Sequence, residues 1–207
     1  MIHTDRTFSE AVRRAVRDAE QGTSAELIVV VAGRSGSYLD VAGAVGACVA
    51  FVALLVALFA PVTFHPVAVA VEVPIAFAIA SWIAHRFAPV LRALTPAARA
   101  RRQVERAAAA HFLEEAVHGT RGRAGLLLYF SVLEERVALI PDLGLAGLVP
   151  KASWSDVRWS DAGDPSRPRT QADLLRGIAE LGSILKAACP AEGRDVNERS
   201  DEPRIIQ

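Results

Sequence analysis

The sequence predicts an α/β fold: a small α/β/α sandwich with a three- to four-stranded mixed sheet, interrupted by a transmembrane helical hairpin. Two apolar runs, residues 26–32 and 125–132, are bounded by turn residues, as β-strands usually are. Between them, residues 41–64 carry no formal charge. An apolar stretch beyond about 18 residues is long enough to cross a bilayer. The strands predict the sheet, and the uncharged stretch predicts its interruption.

The first element along the chain is a predicted helix in the segment "TFSEAVRRAVRDAEQG". Phe8, Val12 and Val16 recur at helical spacing, and either Thr7 or Ser9 can cap the first turn. A secretory signal would need a short apolar stretch followed by a small-residue cleavage site. This charged, amphipathic segment therefore predicts a folded helix and not a signal.

The strand at 26–32 is followed by two predicted membrane spans, at 41–60 and 66–84, joined by the short connection "PVTFHP". An even number of spans returns the chain to its starting side, so the strands on either side of the hairpin can pair in parallel. We therefore divide the chain into a discontinuous domain, a membrane hairpin and a polar C-terminal tail. Their residues are 1–38 with 85–189, 39–84, and 190–207.

Small residues recur at intervals of four or its multiples in both spans, which allows two helices to approach closely in lipid. They are Ala42, Gly46 and Ala50 in the first span and Ala68, Ala76, Ala80 and Ala84 in the second. Glu72 falls in the gap of the second row. An intramembrane acid suggests proton or ion transfer, but the spans offer it no second ionisable partner, which favours an interfacial or packing role.

Arginines predict the orientation of the hairpin. They follow the second span, whereas the turn between the spans contains no Lys or Arg. The positive-inside rule then predicts that both termini lie in the cytoplasm, and the lipid bilayer is the first expected partner. The same arginines favour a general anchor over recognition of one anionic lipid. They are Arg86, Arg92, Arg99, Arg101, Arg102 and Arg106.

The remaining elements follow the hairpin. A long helix is predicted at 95–118, and two β-rich runs on either side of "SVLEER" predict a β-hairpin. The segment "LGLAGLVPKASWSDVRW" predicts a loop with one helical turn, and a last helix is predicted at 170–188. Within the loop, Trp154 and Trp159 are either membrane-edge anchors or packing residues, with packing favoured for Trp154.

The charge balance and the positions of the two cysteines argue against a nucleic-acid partner and a disulfide bond. The chain of 207 residues carries 23 basic and 23 acidic residues, so the charge excess expected of a nucleic-acid-binding protein is absent. Cys48 lies in the first span and Cys189 near the C-terminus, so a disulfide would join a bilayer-embedded residue to the soluble part. We expect no nucleic-acid partner and two free thiols.

One helix face carries possible metal ligands. His111, Glu115 and His118 follow i, i+4 and i+7 spacing, which is compatible with a metal site. Phe112 and Ala116 lie opposite, so this face is expected to be a solvated polar surface. It therefore predicts no metal centre.

Three segments occur in an order that resembles the TPM domain family, related to thylakoid-lumen and photosystem-repair proteins. They are "GTSAELIVVVA", "HFLEEAVHG" and "TRGRAGLLLYFSVLEERVALIPDLGLAGLVPKASW", with Asn197, Glu198, Asp201 and Pro203 of the tail. The resemblance implies an α/β/α fold with a small central sheet, commonly tethered to a membrane. It also implies divalent-metal binding and acid phosphatase activity in some members. The inserted hairpin is similar to that of a bacterial membrane-bound branch, which implies a location in the bacterial inner membrane.

The sequence departs from this family after the second strand of the β-hairpin. Many members have a Gly-Tyr-Gly-Leu-Glu-Gly segment and a later Asp, whereas this chain has Asp142 followed by "LGLAG", with Ala146 and Lys151 in place of the acids. Hard divalent cations need clustered oxygen ligands. We expect no cofactor and assign no catalytic residue, and Asp142 is the one candidate ligand should calcium or magnesium bind.

These observations favour a membrane-anchored, TPM-type accessory or protein-interaction module with a membrane-protein partner. A divalent-metal-dependent phosphatase is the first alternative, supported by the resemblance alone. A two-span proton-coupled membrane component is the second. Partners in the membrane fraction, metal-dependent turnover and functional titration of Glu72 distinguish the three.

Overall fold

The computed structural model describes residues 5–159, 167–168, 170–191 and 202–206. The chain divides into two compact units. One, the sheet unit, combines Met1–Ser35 with Arg101–Gln207, and the other, the hairpin unit, is Gly36–Ala100. The sheet unit is therefore discontinuous in sequence.

A four-stranded mixed sheet forms the centre of the sheet unit. Its strands are β1 (Glu26–Ala32), β2 (Gly125–Ser131), β3 (Arg136–Pro141) and β4 (Arg204–Ile206), in the order β3-β2-β1-β4. β1 pairs in parallel with β2 and β4, and β2 pairs antiparallel with β3. The mixed sheet and the pairing of β1 with β2 confirm the predicted fold class.

Eight α-helices occur in the described part of the chain. They are α1 (Arg6–Glu20), α2 (Leu39–Phe59), α3 (Pro66–Arg86), α4 (Ala88–Leu94), α5 (Ala97–Glu114), α6 (Leu143–Leu148), α7 (Lys151–Ser155) and α8 (Gln171–Ala188). The first is capped by Asp5, not by Thr7 or Ser9: its side chain accepts a hydrogen bond from the Phe8 amide at 2.8 Å.

Two apolar layers hold the helices against opposite faces of the sheet. On one face, Phe8 of α1 and Ile178 of α8 pack in one buried cluster with Val29 of β1. On the other face, Val104 of α5 packs in a second cluster with Val30. Successive residues of a strand point to opposite faces, so β1 contributes to both layers. The arrangement is the predicted α/β/α sandwich.

The helix predicted at 95–118 is shorter in the structure. α4 is a separate short helix, and α5 ends at Glu114, because Ala116 adopts a left-handed backbone conformation with φ of 48°. The predicted loop after β3 also differs, since it contains two short helices, α6 and α7. Periodicity over so few residues is too weak to predict them.

In the hairpin unit, α2 and α3 are both long and apolar enough to cross a membrane. They pack through their small residues: Ala42, Gly46 and Ala84 are buried. A Cβ atom added to Gly46 would overlap Ser81 Oγ and lie 2.7 Å from the Phe77 carbonyl oxygen. The close approach of the two helices therefore depends on Gly46.

An ion pair links the two ends of the hairpin unit. Arg99 donates to both carboxylate oxygens of Asp40, at 2.5 and 2.8 Å, and to the Ser37 carbonyl at 3.3 Å. Its guanidinium also lies 5.7 Å from the centre of the Tyr38 ring. By compactness, α4 and the first turn of α5 group with the hairpin unit, and the predicted division of residues 85–100 into the sheet domain stays a prediction.

Candidate functional site

Asp142 follows β3 and caps α6. Its side chain is 2% exposed, and Oδ1 accepts a hydrogen bond from the Leu143 amide at 2.7 Å. Arg123 donates to both carboxylate oxygens, from Nε to Oδ2 at 3.2 Å and from Nη2 to Oδ1 at 3.1 Å. The carboxylate charge is thus balanced by a guanidinium in a two-point contact.

The turn that carries Arg123 is tightly packed against α6. Gly122 and Arg123 both have positive φ, 66° and 55°. A Cβ atom on Gly144 would overlap the Gly122 carbonyl oxygen and lie 2.7 Å from that of Arg123. Glycine at 144 therefore lets α6 approach the turn and brings Asp142 to its arginine.

The residues around Asp142 do not fit a divalent cation. Both its oxygens are engaged by Arg123, and the positions where the resemblance implies acids hold Ala146 and Lys151. No group of three or more His, Cys, Asp or Glu that could hold a metal ion occurs in the part of the chain that is described. The assignment of Asp142 as a metal ligand stays a prediction.

The prediction that His111, Glu115 and His118 form a solvated polar face of one helix is wrong in two respects. The His111 ring stacks on Tyr129 of β2, with 5.5 Å between ring centres, and its side chain is only 17% exposed. α5 has already ended at Glu114, so His118 is not part of that helix. Glu115 pairs with Arg204 of β4. Sequence spacing missed these contacts because their partners lie on distant strands.

A buried polar network, which the sequence did not predict, joins the ends of β1 and β2. Glu134 is 4% exposed, and its carboxylate accepts hydrogen bonds from the Ser35 amide at 3.0 Å and from Ser131 Oγ. Ser35 Oγ lies 3.1 Å from the Tyr129 hydroxyl. Burial raises the pKa of Tyr129, the Glu134 charge raises it further, and the hydrogen bond to Ser35 lowers it. In sequence, Glu134 resembled an ordinary turn residue.

A cavity of about 720 Å³ extends along β3 in the sheet unit, and we call it the β3 groove. Residues 136–141 of β3 line it along their whole length. One wall is formed by α5, through Arg101, Val104 and Glu105. The opposite wall is formed by the segment after β3, mainly Val149, Trp154, Val157 and Trp159.

Trp159 and Trp154 are packing residues of this second wall. Trp159 is 4% exposed, and its ring lies so close to α8 that a Cβ atom on Gly177 would overlap it. Trp154 is partly buried against the same apolar cluster. Of the two sequence interpretations, packing is confirmed.

β3 is an edge strand, with β2 as its neighbour within the described residues. The Asp142 amide donates to the Gly125 carbonyl at 2.8 Å, and antiparallel pairs alternate between bonded and non-bonded. Ala138 and Ile140 therefore bond to β2, whereas the backbone groups of Val137 and Leu139 point toward the open edge. Pro141, which has no N–H, occupies the same outward register.

Charges line the β3 groove unequally. Arg101, Arg136 and Lys151 contribute three cations and Glu105 one anion. Arg101 lies 3.6 Å from Glu105, and both are largely exposed. The tryptophan wall is therefore mainly apolar with Lys151 as its cation, and Arg101, Arg136 and Glu105 lie on the α5 side.

Glu72 is exposed on α3, whereas Ala68 and Ala76 on either side of it in the small-residue row are less exposed. The structure thus places Glu72 outside the face of α3 that packs on α2. Both cysteines are free, Cys48 being exposed and Cys189 buried. Asn197, Glu198 and Asp201 lie outside the described residues.

No family model matches this chain, and neither does any curated protein. Among solved structures, the chain is similar to the NMR structure of BA42 protein from the psychrophilic bacterium Bizionia argentinensis. The TM-score is 0.55 and the identity 16%, over 97% of this chain and 94% of that chain. A likeness at this identity shows a shared fold alone.

Proposed function

We propose that the protein is a membrane-anchored interaction module of the TPM type. The hairpin unit anchors it in the bacterial inner membrane with both termini in the cytoplasm, and the β3 groove takes a segment of a membrane-protein partner. One observation carries the proposal: an edge strand whose outward backbone groups at Val137 and Leu139 lie in a walled groove. Unpaired strand edges are templates for pairing with another chain.

The membrane part of the proposal is supported by two spanning-length apolar helices and by the distribution of charge. Arginines follow the second helix, and the turn between the helices has none. Under the positive-inside rule, this asymmetry favours cytoplasmic termini.

The phosphatase alternative needs a group that activates water and a cation that stabilises the developing negative charge. Asp142 is occupied by Arg123 and by the α6 cap, which argues against both roles. The purified protein should show no metal-dependent phosphomonoester hydrolysis, and calcium, magnesium or manganese should leave its Tm unchanged. Hydrolysis that is lost in Asp142→Asn would favour the phosphatase instead.

Photo-crosslinking in cells tests the interaction module. A photoreactive phenylalanine analogue is placed at position 146, which lines the β3 groove, or at the control position 183, which is exposed on α8. We expect a crosslinked adduct in the membrane fraction from position 146 only. Adducts of equal intensity from both positions, or none from position 146, would contradict the proposal.

A further inference from the structure

The open edge of β3 limits what can bind in the β3 groove. Val137 and Leu139 each present one N–H and one C=O outward, and Pro141 presents only its C=O. Edge strands usually carry charges, prolines or bulges that block pairing. Here Arg136 and Pro141 stand at the two ends of the strand, and the positions between them are apolar. Among the described residues nothing pairs with the centre of β3, so it can accept an extended peptide backbone.

The register of β3 assigns a wall to each side chain of an added strand. Val137 and Leu139 pack toward the tryptophan side of the sheet, whereas Ala138 and Ile140 pack toward α5. Residues directly opposite each other on neighbouring strands face the same side. Alternate residues of the added strand would thus meet Trp154 and its apolar neighbours, and the intervening residues would meet the α5 wall.

The chemistry of the walls differs accordingly. The tryptophan wall buries apolar side chains favourably. The α5 side carries Arg101, Arg136 and Glu105, where Glu105 already pairs with Arg101 at 3.6 Å, and Lys151 stands on the other wall. Carboxylates complement this excess of positive charge. A second copy of β3 would bring another Arg136 into it, which disfavours self-association.

We propose that the β3 groove binds an extended peptide with alternating apolar and acidic side chains, which adds to the sheet as a strand beside β3. This inference rests on the proposed function and specifies the chemistry of the partner segment. The backbone of the peptide supplies the hydrogen bonds to Val137 and Leu139. Its side-chain alternation supplies the specificity.

Peptide binding to the full chain in detergent micelles tests the inference by fluorescence anisotropy. The probe is a labelled peptide of about seven residues, with Val or Leu alternating with Glu. A second peptide replaces each Glu with Lys, and a third keeps the side chains but is N-methylated at alternate residues. We expect the Lys peptide to bind at least about tenfold more weakly, because charge complementarity is reversed. We expect no binding of the peptide methylated on the edge-facing amides.

Two variants of the protein test the same contact. Leu139→Pro removes an outward N–H while Ala138 and Ile140 keep their bonds to β2, and Leu139→Ala removes only side-chain atoms. We expect Leu139→Pro to abolish binding of the acidic peptide and Leu139→Ala to weaken it less. A thermal unfolding curve verifies that each variant is folded. Binding of the methylated peptide tests the same backbone hydrogen bonds without any change to the protein.

Several outcomes would overturn the inference. They are equal binding of the acidic and lysine peptides, equal binding of the methylated peptide, and no binding of the acidic peptide. A change of oligomeric state in Leu139→Pro would instead identify a second copy as the occupant. If the crosslink from position 146 persists while the acidic peptide fails, only the partner chemistry is wrong. If the crosslink is lost as well, the proposed function fails.

Discussion

Asp142 shows how a single residue changes its chemistry with its partner. The sequence identifies it as the one acid at the position where the family resemblance implies a metal site. The structure gives it a guanidinium 19 residues earlier in the chain, together with a helix cap. A buried carboxylate with a bidentate arginine has its charge satisfied. The residue then stabilises the corner between β3 and α6.

A double-mutant cycle measures this contact. Asp142→Ala leaves Arg123 without its partner and removes the α6 cap, so we expect a loss of about 1–3 kcal/mol in the free energy of unfolding. With Arg123→Gln as the second substitution, the coupling energy should be about 1 kcal/mol. Denaturant unfolding in detergent provides the measurement. Additive effects of the two substitutions would contradict a direct ion pair.

Gly177 and Gly147 form a matched pair of helical glycines. A Cβ atom at Gly177 would overlap the Trp159 ring, whereas one at Gly147 meets nothing within 4 Å. Gly177→Ala should destabilise the protein by about 1–3 kcal/mol, because the core cannot take the added volume. Gly147→Ala should be neutral or stabilising by up to about 1 kcal/mol, through helix propensity. Similar denaturation midpoints for the two variants would argue against the buried position of Trp159.

At the scale of elements, α2 and α3 are apolar enough to cross a membrane and pack through small side chains, and lipid offers little hydrophobic drive for helix association. Van der Waals contact must then supply the attraction, and it requires close approach of the backbones. Gly46 lies at such a close contact, because a Cβ atom there would overlap Ser81 and Phe77 of α3.

The hairpin prediction compares Gly46→Val with Gly43→Val. Both glycines lie in α2, but only Gly46 is crowded by α3, and Gly43 has open space. Gly46→Val should separate the helices and lower the free energy of unfolding by about 1–3 kcal/mol. The measurement is the midpoint of thermal unfolding in detergent. Gly43→Val should change the free energy of unfolding by less than about 0.5 kcal/mol. A greater loss of stability in Gly43→Val than in Gly46→Val would contradict the close packing of Gly46 against α3.

β4 is the strand that the sequence analysis missed, since it lies in a tail predicted to be polar. Only three residues form it, and they pair with β1, where the Gly33 amide donates to the Ile206 carbonyl at 2.8 Å. Ile206 also packs, partly buried, against the apolar cluster beneath α5. The end of the tail is thus part of the sheet unit.

Ile206→Ala tests whether β4 stabilises the sheet. Removing its partly buried methyl and methylene groups should cost about 1–2 kcal/mol and speed proteolysis of the sheet unit. Glu202→Ala is the control, because Glu202 pairs with Arg13 at 3.3 Å where both side chains are largely exposed, and exposed pairs contribute little. Equal proteolysis rates for Ile206→Ala and the unaltered protein would exclude a stabilising β4.

At the scale of the whole molecule, the chain inserts the hairpin unit between two strands that pair with each other. Closing a longer loop costs little additional entropy, so the insertion does not prevent the pairing of β1 with β2. Two helices that both cross a membrane would return the chain to its starting side, so a two-span hairpin is compatible with this pairing.

Reporter fusions test the resulting topology. A cytoplasm-active reporter after Gln207 should be active, and a periplasm-active reporter inserted in the turn at residues 61–65 should also be active. The exchanged pair, with each reporter at the other position, is the control and should be inactive. Activity of the periplasmic reporter after Gln207 would overturn the orientation.

The sequence by itself determined the elements whose signal is local. The strand at 26–32, the two long apolar helices and the last helix follow from runs or periodicities of neighbouring side chains, and the structure has them within a few residues. The pairing of β1 with β2 was also predictable, because an even number of spans and a crossover helix leave few alternatives.

Tertiary structure alone decided the candidate site. His111 is covered by Tyr129, Asp142 is paired with Arg123, and Glu134 is buried against Ser35 and Ser131. Except for the nearby Ser131, these partners lie far away in sequence or on separate elements, so no spacing rule brings them together. The β3 groove likewise exists only because α5 and the segment after β3 converge on one strand edge. Burial and partnership depend on the packed neighbours of a residue, which its local sequence does not contain.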